Sequence, residues 1–451
     1  MLDKESLKIL LDSLEKLEAG FAALPEFDAR VPGAEHIPET LSAVAERLQD
    51  NFPYFHPLYA GQMLKPPHPV ARLAYSLAQS INPNNHALDG GRATSAMEKE
   101  AVAGIAEMFG WREHLGHLCG GGTMANLEAL WVAGKLTPGK KILASEQAHY
   151  THGRISAVLQ LPFLTVPCDP RGRMDLAKLG ELLAQGDVGA VVATIGTTAT
   201  GSVDPLPEVL QLRDRYGFRV HADAAYGGYF GLAKNLDSQA RHAFDLLQHV
   251  DSIVIDPHKH GLQPYGCGCV LFREPGVGKL YKHDSPYTYF SSKEIHLGEI
   301  SLECSRPGAA AAALWATQRL LPLTKGGEFA RMLEDCRAAA LDFHHRLKKD
   351  ARFVTAFPPE LDIVVFAPRA GSVSESSEKS RTIFEAVARR DLHLALADLP
   401  VSFFEANLGA MKRDRNSLTC LRSVLMKQEH KEWIGRIWEI LSEATDEVLR
   451  P

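Results

Sequence analysis

Apolar positions recur at helical spacing over residues 2–23, where Leu7, Leu10, Leu11, Leu14 and Leu17 stand between charges. That pattern predicts an amphipathic helix. Its stripe needs a cover, either the chain's own core or a partner subunit. Residues 50–92 break the periodicity. Pro, His, Asn and Gly crowd HPLYAGQMLKPPHP and INPNNHALDGGRATS, a stretch too polar and interrupted for a core and of the loop type that carries function. From Ser95 the texture turns α/β. SAMEKEAVAGIAEMFGW predicts a helix, with Ser95 and Glu98 in capping-box spacing, and a second helix opens after Gly120-Gly121-Gly122 in TMANLEALWVAGKL. The short apolar runs KKILAS, LTVPC, AVVATIG, FRVHADAA, DSIVIDPHK and CGCVLF then alternate with helix-length segments such as LPEVLQLRDRYG. Such alternation predicts βαβ units and a mostly parallel sheet.

SRPGAAAAALWATQRLL predicts a connecting helix. Beyond it, long charged helices such as EFARMLEDCRAAALDFHHRLKKD surround the strand-like DIVVFAPR, PVSFFEAN and LTCLRSVLM, while GSVSESSEKS is a flexible loop by composition. The expected organisation is an N-terminal helical segment over 1–92, a large α/β domain over 93–325 and a smaller α+β domain over 326–451. The sequence shows no internal repeat.

Composition narrows the function classes. Of 451 residues, 45% are hydrophobic and 23% charged, within the range of ordinary globular proteins. The formal net charge of −6 provides no basic excess for neutralising phosphates, so a nucleic-acid partner is not expected. No apolar run approaches the roughly 18 residues of a membrane span. Met1-Leu2-Asp3-Lys4-Glu5 lacks the basic start and apolar core of a secretory signal. Seven scattered cysteines do not form a disulfide framework. A soluble, cytoplasmic enzyme is expected.

In a parallel sheet, ligands sit beyond the carboxyl ends of the strands. Chemistry-bearing residues cluster there: Thr194, Gly196, Thr197 and Thr198 after one apolar run, His221, Asp223, Ala225 and Tyr226 at the next, and Asp256, His258 and Lys259 after a third. CGGGTMAN makes a glycine-rich turn into a helix N-terminus, whose free N–H groups suit a phosphate. Taken singly, such an aspartate is commonly a helix cap and such a lysine a solvated charge. Together, a phosphate cradle, an acid and a lysine fit pyridoxal phosphate, which needs a lysine for its Schiff base and an acid against its pyridine nitrogen. His149, in SEQAHYTHGR, is the candidate to stack on the ring, placed ahead of a strand. No metal is expected, because nothing completes a ligand set around His149/His152 or His258/His260. Cys267 and Cys269 share one strand face and are read as packing residues. The triple glycine is neither a dinucleotide fingerprint nor a P-loop.

Six ordered motifs, HPLYAGQM, GGGTMAN, SEQAHYTHG, VATIGTTATG, HADAAYGG and DPHKHG, resemble those of the group II pyridoxal-phosphate-dependent amino acid decarboxylases, from Pro57 to Arg422. The resemblance implies the type I, aspartate-aminotransferase-like fold, and a homodimer with its site at the subunit interface. It makes Lys259 the Schiff-base lysine, Asp223 the partner of the pyridine nitrogen and His149 the stacking residue. Ala225 would pack on the other ring face and Thr194 would lie near the ring hydroxyl. Thr123, His258 and the N–H groups of Met124 and Ala125 would hold the phosphate. Asp256 stands where many relatives have asparagine, which leaves its role open. Tyr287 or Tyr289 would protonate the substrate carbon, and Arg422 would meet the substrate carboxylate or form a structural ion pair. His56, Tyr59 and Gln62 would line the pocket. The implied substrate is an aromatic amino acid such as tyrosine or an acidic one such as glutamate or aspartate. A carbon–carbon lyase, an aminotransferase or a non-catalytic cofactor-binding homologue would share much of this pattern.

Overall fold

The computed structural model describes residues 3–282 and 296–450. Four helices come first: α1 (Lys4–Ala19), α2 (Ile37–Leu48), α3 (Pro69–Gln79) and α4 (Leu88–Met108). Then follow β1 (Leu115–Cys119), α5 (Gly122–Leu136), β2 (Lys141–Ser145), α6 (Thr151–Val158), β3 (Phe163–Val166), α7 (Leu176–Leu183) and β4 (Val188–Thr194). The series continues with α8 (Leu206–Tyr216), β5 (Arg219–Asp223), α9 (Ser238–Asp245), β6 (Ser252–Ile255) and β7 (Gly268–Phe272). After α10 (Gly308–Leu320) and α11 (Glu328–Lys349) come β8 (Phe353–Thr355), β9 (Ile363–Pro368), α12 (Val373–Ala388), β10 (Ala395–Pro400), α13 (Glu405–Leu408), β11 (Ser417–Val424) and α14 (His430–Leu449).

The larger sheet has the order β1-β7-β6-β5-β4-β2-β3, and only β7 runs antiparallel to its neighbours. Every residue of β4 is buried, as expected for a strand covered on both faces. Parallel pairing places Thr194 opposite Asp223 and Asp223 opposite Val254, so the ends of β4, β5 and β6 open side by side. The smaller sheet, β10-β11-β9-β8, is antiparallel throughout and is packed by α11, α12 and α14. This is the α/β architecture expected from the apolar runs.

Several local expectations need correcting. Residues 50–92 are not all loop. Pro69 opens α3 with the side chain of His68 capping the Val70 N–H, and Ala71 and Ala78 are buried. The helix expected from Ser95 begins earlier, at Leu88, and is broken at Gly91 (φ −161°, ψ 57°). Ser95 and Glu98 therefore form no capping box. Glu98 instead accepts from the Leu118 N–H (2.9 Å), Asn85 (2.7 Å) and Arg306 (2.6 Å) in a buried knot. GSVSESSEKS leads into α12, because Ser372 caps its N-terminus and the buried Ser376 and Ser377 hydroxyls donate to the carbonyls of Pro368 and Val373. PVSFFEAN is helical (Val401–Phe404 and α13), and the strand lies just upstream as β10. α2 and β1 were not anticipated. In β1, the polar His117 is buried against Glu128 at 2.9 Å.

Candidate active site

A cavity of about 570 Å³ lies at the carboxyl ends of β4, β5 and β6, facing the N-terminus of α5. Its floor is set by strand register, and its chemistry comes from the residues that follow each strand.

Asp223 ends β5 with 5% of its surface exposed. Its Oδ2 lies 2.8 Å from His152 Nε2 and accepts from Asn126 Nδ2 at 3.4 Å, while Oδ1 accepts the Ala225 N–H at 3.2 Å. Asn126 Oδ1 in turn meets His221 Nε2, and His221 Nδ1 meets Ser252 Oγ, both at 2.8 Å. Burial pushes the Asp223 carboxyl up. The hydrogen bond and charge of His152, with the charges of His221 and Lys259, outweigh it and hold the group well below the ordinary carboxylate range. Burial, aided by the charge of His152, drives His221 down to about 3. A carboxylate held anionic at the base of a cavity suits a protonated ring nitrogen.

The turn after β6 is closed by the Lys259 N–H donating to the Asp256 carbonyl at 2.9 Å, which brings the two side chains together. Lys259 Nζ lies 3.0 Å from Asp256 Oδ2. His258 Nδ1 sits 2.8 Å from the Cys267 carbonyl, and burial lowers the imidazole's pKa.

At the opposite wall, Gly121, at φ +142°, turns the chain into α5. The N–H groups of the first helical turn have no carbonyl four residues back to bind. Thr123 and Met124 belong to that turn and line the cavity. Ala125 does not serve there: its N–H donates to the Gly121 carbonyl at 3.0 Å, the first bond of the helix, and its side chain is fully buried. Glycine is required because a Cβ on Gly268 would fall 2.5 Å from Gly121 Cα, and one on Gly122 would fall 2.7 Å from Asp256 Oδ2.

His149 follows β2 and precedes α6 rather than a strand. It lines the cavity, its Nδ1 accepts the Thr151 N–H at 3.2 Å, and burial lowers its pKa, favouring the neutral ring. Thr194, Ala225 and Tyr226 complete the floor. The Tyr226 hydroxyl donates to Asp362 Oδ1 at 2.5 Å, reaching across to the residue before β9.

The expected substrate residues lie elsewhere. Leu58 and Ala60 are stitched to the smaller sheet through His393 and Val424, so Tyr59 pairs with His393. His56 packs on Trp433 with ring centroids 4.9 Å apart, Tyr59 is buried edge-on to Tyr54, and Gln62 is exposed. None of the three lines the cavity. Among the described residues Arg422 forms no ion pair. Its three donor atoms hold the carbonyls of Thr198 (2.6 Å), Ala199 (3.1 Å) and Gly61 (3.0 Å). Tyr287 and Tyr289 lie outside the described residues. The sequence reading assigned no supporting role to His152, Asn126 or His221, which hold Asp223 directly or through one another. His221 precedes Asp223 by two on a strand, and so shares its face, which was a usable signal.

Pyridoxal phosphate fits this donor set. The α5 N–H groups and His258 would hold its phosphate, Asp223 would meet its ring nitrogen and Lys259 would anchor its aldehyde. The buried Thr194 Oγ1 and Asp256 Oδ1 are left without hydrogen-bond partners.

Comparison with known proteins agrees. An L-tyrosine decarboxylase of Enterococcus faecium is 28% identical over 394 residues, covering 65% of this chain and 64% of that protein, just under two thirds of its length. A probable L-tyrosine/L-aspartate decarboxylase of Methanothermobacter thermautotrophicus is 29% identical, covering 73% of this chain and 88% of its own. Among solved structures, Oryza sativa TDC with PLP and tryptamine superposes with a TM-score of 0.79 at 19% identity, over 100% of this chain and 99% of that one, a likeness of fold. The model of the pyridoxal-dependent decarboxylase conserved domain matches residues 130–369, more than half of the sequence. The chain therefore belongs to the pyridoxal-dependent decarboxylase family.

Proposed function

We propose that this chain is a pyridoxal-phosphate-dependent carboxy-lyase that removes the α-carboxylate of an L-amino acid of the tyrosine class, giving the amine and carbon dioxide. The observation that carries it is the placement, at neighbouring strand ends of one cavity, of Asp223 and Lys259 opposite the free N–H groups of α5. When bound, the cofactor supplies an electron sink for the pair left when a bond to the substrate's α-carbon breaks. The protein's part is to hold and orient. Asp223, kept anionic by His152, retains a proton on the ring nitrogen. Thr123, the Met124 N–H and His258 grip the phosphate, and His149 offers a neutral ring face. Lys259 presents the amine that anchors the cofactor and yields it to substrate.

Two features support the rest. A second cavity of about 700 Å³, lined by Tyr54, Phe55, Leu64, Pro66 and Pro67, adjoins the first across Tyr265 and has the apolar wall an aromatic side chain needs. The exposed apolar faces of α1 and α2 support a homodimer in which these helices pack on the second copy. A cytoplasmic setting is supported by seven unpaired cysteines. The test is a panel of L-amino acids with mass-spectrometric detection of the amines formed. Tyramine from tyrosine is the expected product, and keto acid or aldehyde without amine would refute the reaction. Borohydride should fix the cofactor on the peptide carrying Lys259.

A further inference from the structure

We propose that Asp256 is the proton-exchange partner of Lys259: it takes the proton from the lysine ammonium as the amine bonds to the cofactor aldehyde and returns it when the amine is released. The proposal rests on Lys259 being the lysine that holds the cofactor.

The geometry is specific. Asp256 is 2% exposed, and its Oδ2 lies 3.0 Å from Lys259 Nζ. Among the described residues it is the one carboxylate within 4.0 Å of that nitrogen. Its other oxygen, Oδ1, is buried and accepts no hydrogen bond among the described residues. Carboxylates with structural duties in this chain look different. Asp204 spends both oxygens on backbone N–H groups, those of Met174 and Thr194 at 2.7 Å each. The nearest cation to Asp256 is the lysine, at 3.0 Å, with the His258 ring at 3.5 Å.

The chain keeps room for that arrangement. Gly122, the first residue of α5, is the only kind of residue that lets the carboxylate sit where it does, since any Cβ would lie 2.7 Å from Oδ2. The helix N-terminus favours the anion electrostatically. Among the described residues, the other titratable groups facing the pair are His258, 3.5 Å from Oδ2, Asp223 and His149 across the cavity, Tyr265 on its wall, and the buried Tyr229, Cys119, Cys267 and Cys269. An asparagine at this position would offer the cofactor phosphate a donor. An aspartate offers a base.

The step is a proton transfer. The Nζ–H bond breaks, its electron pair stays on nitrogen, and the proton forms an O–H bond on Oδ2, converting an ammonium and a carboxylate into an amine and an acid. The free amine can then attack the aldehyde carbon, whose oxygen leaves as water. No oxidant or reductant is involved.

The test uses the cofactor-free protein and follows covalent capture of pyridoxal phosphate by stopped-flow absorbance over a range of pH. D256N should capture roughly 10²-fold more slowly at neutral pH, the low end of proton-transfer assistance, and recover at alkaline pH. D256E should retain most of the rate. Asp256→Ser, which removes the acid with a smaller side chain, should repeat the loss and guards against misfolding of the asparagine variant. Inorganic phosphate should bind D256N at least as tightly as wild type. Capture by D256N as fast as wild type at every pH would overturn the proposal, as would a phosphate affinity reduced by the same factor as the rate. Wild-type capture on another lysine would instead overturn the cofactor assignment. Unchanged D256N kinetics with wild-type capture on Lys259 removes only the role of Asp256.

Discussion

The cavity floor and the N-terminal 50 residues represent opposite ways of placing a side chain. At the floor, Asp223, Thr194 and Asp256 are 5%, 3% and 2% exposed, and backbone pairing within one sheet fixes where each emerges. In α1 and α2, by contrast, no described side chain is buried, and Leu11 and Leu41 are 60% and 61% exposed. The two helices are well formed. Asp3 caps α1 through the Ser6 N–H, and Pro stands in the first turn of α2. They carry amphipathic stripes without a cover. The described floor residues are held by pairing within one sheet, whereas the stripes of the arm stay open among the described residues. Contact of α1 with α3 gives partial support and does not close the stripe.

If that contrast is sound, substitutions at the floor change chemistry without changing assembly, and substitutions in the arm do the reverse. Lys259→Ala should be the most severe, abolishing visible cofactor absorbance and reducing amine formation by at least about 10⁴-fold, with sedimentation unchanged. Asp223→Asn should retain the cofactor but lose about 10³-fold in turnover, the scale for removing one preorganised charge from a site. Leu11→Asp combined with Leu41→Asp should weaken self-association. Two leucines removed from a buried interface represent about 3–6 kcal/mol, or roughly 10²–10⁴-fold in dissociation constant. A double variant that sediments as the wild type does would break the comparison.

Smaller effects sharpen it. His152→Ala removes the hydrogen bond and charge that hold Asp223 low, so the Asp223 pKa rises and the acid limb of the pH–activity curve moves to higher pH. An unmoved limb would show that His152 is not what tunes the acid. Asp204 behaves oppositely. Burial, reinforced by the charges of Glu360 and Asp169 and opposed by two backbone N–H groups, raises it to about 7. A raised carboxyl binds its proton more tightly when folded, so its contribution is full below the unfolded pKa and is lost as pH rises through about 7. Thermal unfolding of the wild type should therefore show a midpoint that falls between about pH 4 and about pH 7 and then levels off, a slope that Asp204→Asn flattens.

The same contrast explains what the sequence could disclose. The strand-end positions of Lys259 and Asp223 were legible because each follows an apolar run short enough to be a strand, and position after a strand is local information. The roles expected of His56, Tyr59 and Gln62 depended on where their segment docks. It docks on the smaller sheet, through pairing with His393 and Val424 more than 300 residues away. Distance also defeated the capping box, since the partner of Glu98 is Arg306, 208 residues on. The serine-rich stretch that forms the first turns of α12 looked like a loop because composition does not show that a hydroxyl will be satisfied by the helix's own carbonyls, as Ser377 is by Val373.

The side-by-side register of Thr194 and Asp223 has a consequence for how this protein tolerates change. Strand side chains alternate, so shifting β5 by one residue relative to β4 would turn Asp223 from the cavity to the opposite face and bring Ala222 or Ala224 into its place. An insertion in the α8 helix or in the turn at Gly217 is absorbed before the ladder begins. One between Arg219 and Asp223 is not. The catalytic alignment thus behaves like the teeth of a ratchet, indifferent to drift in the connecting helices and lost in a single step within four peptide bonds of the acid.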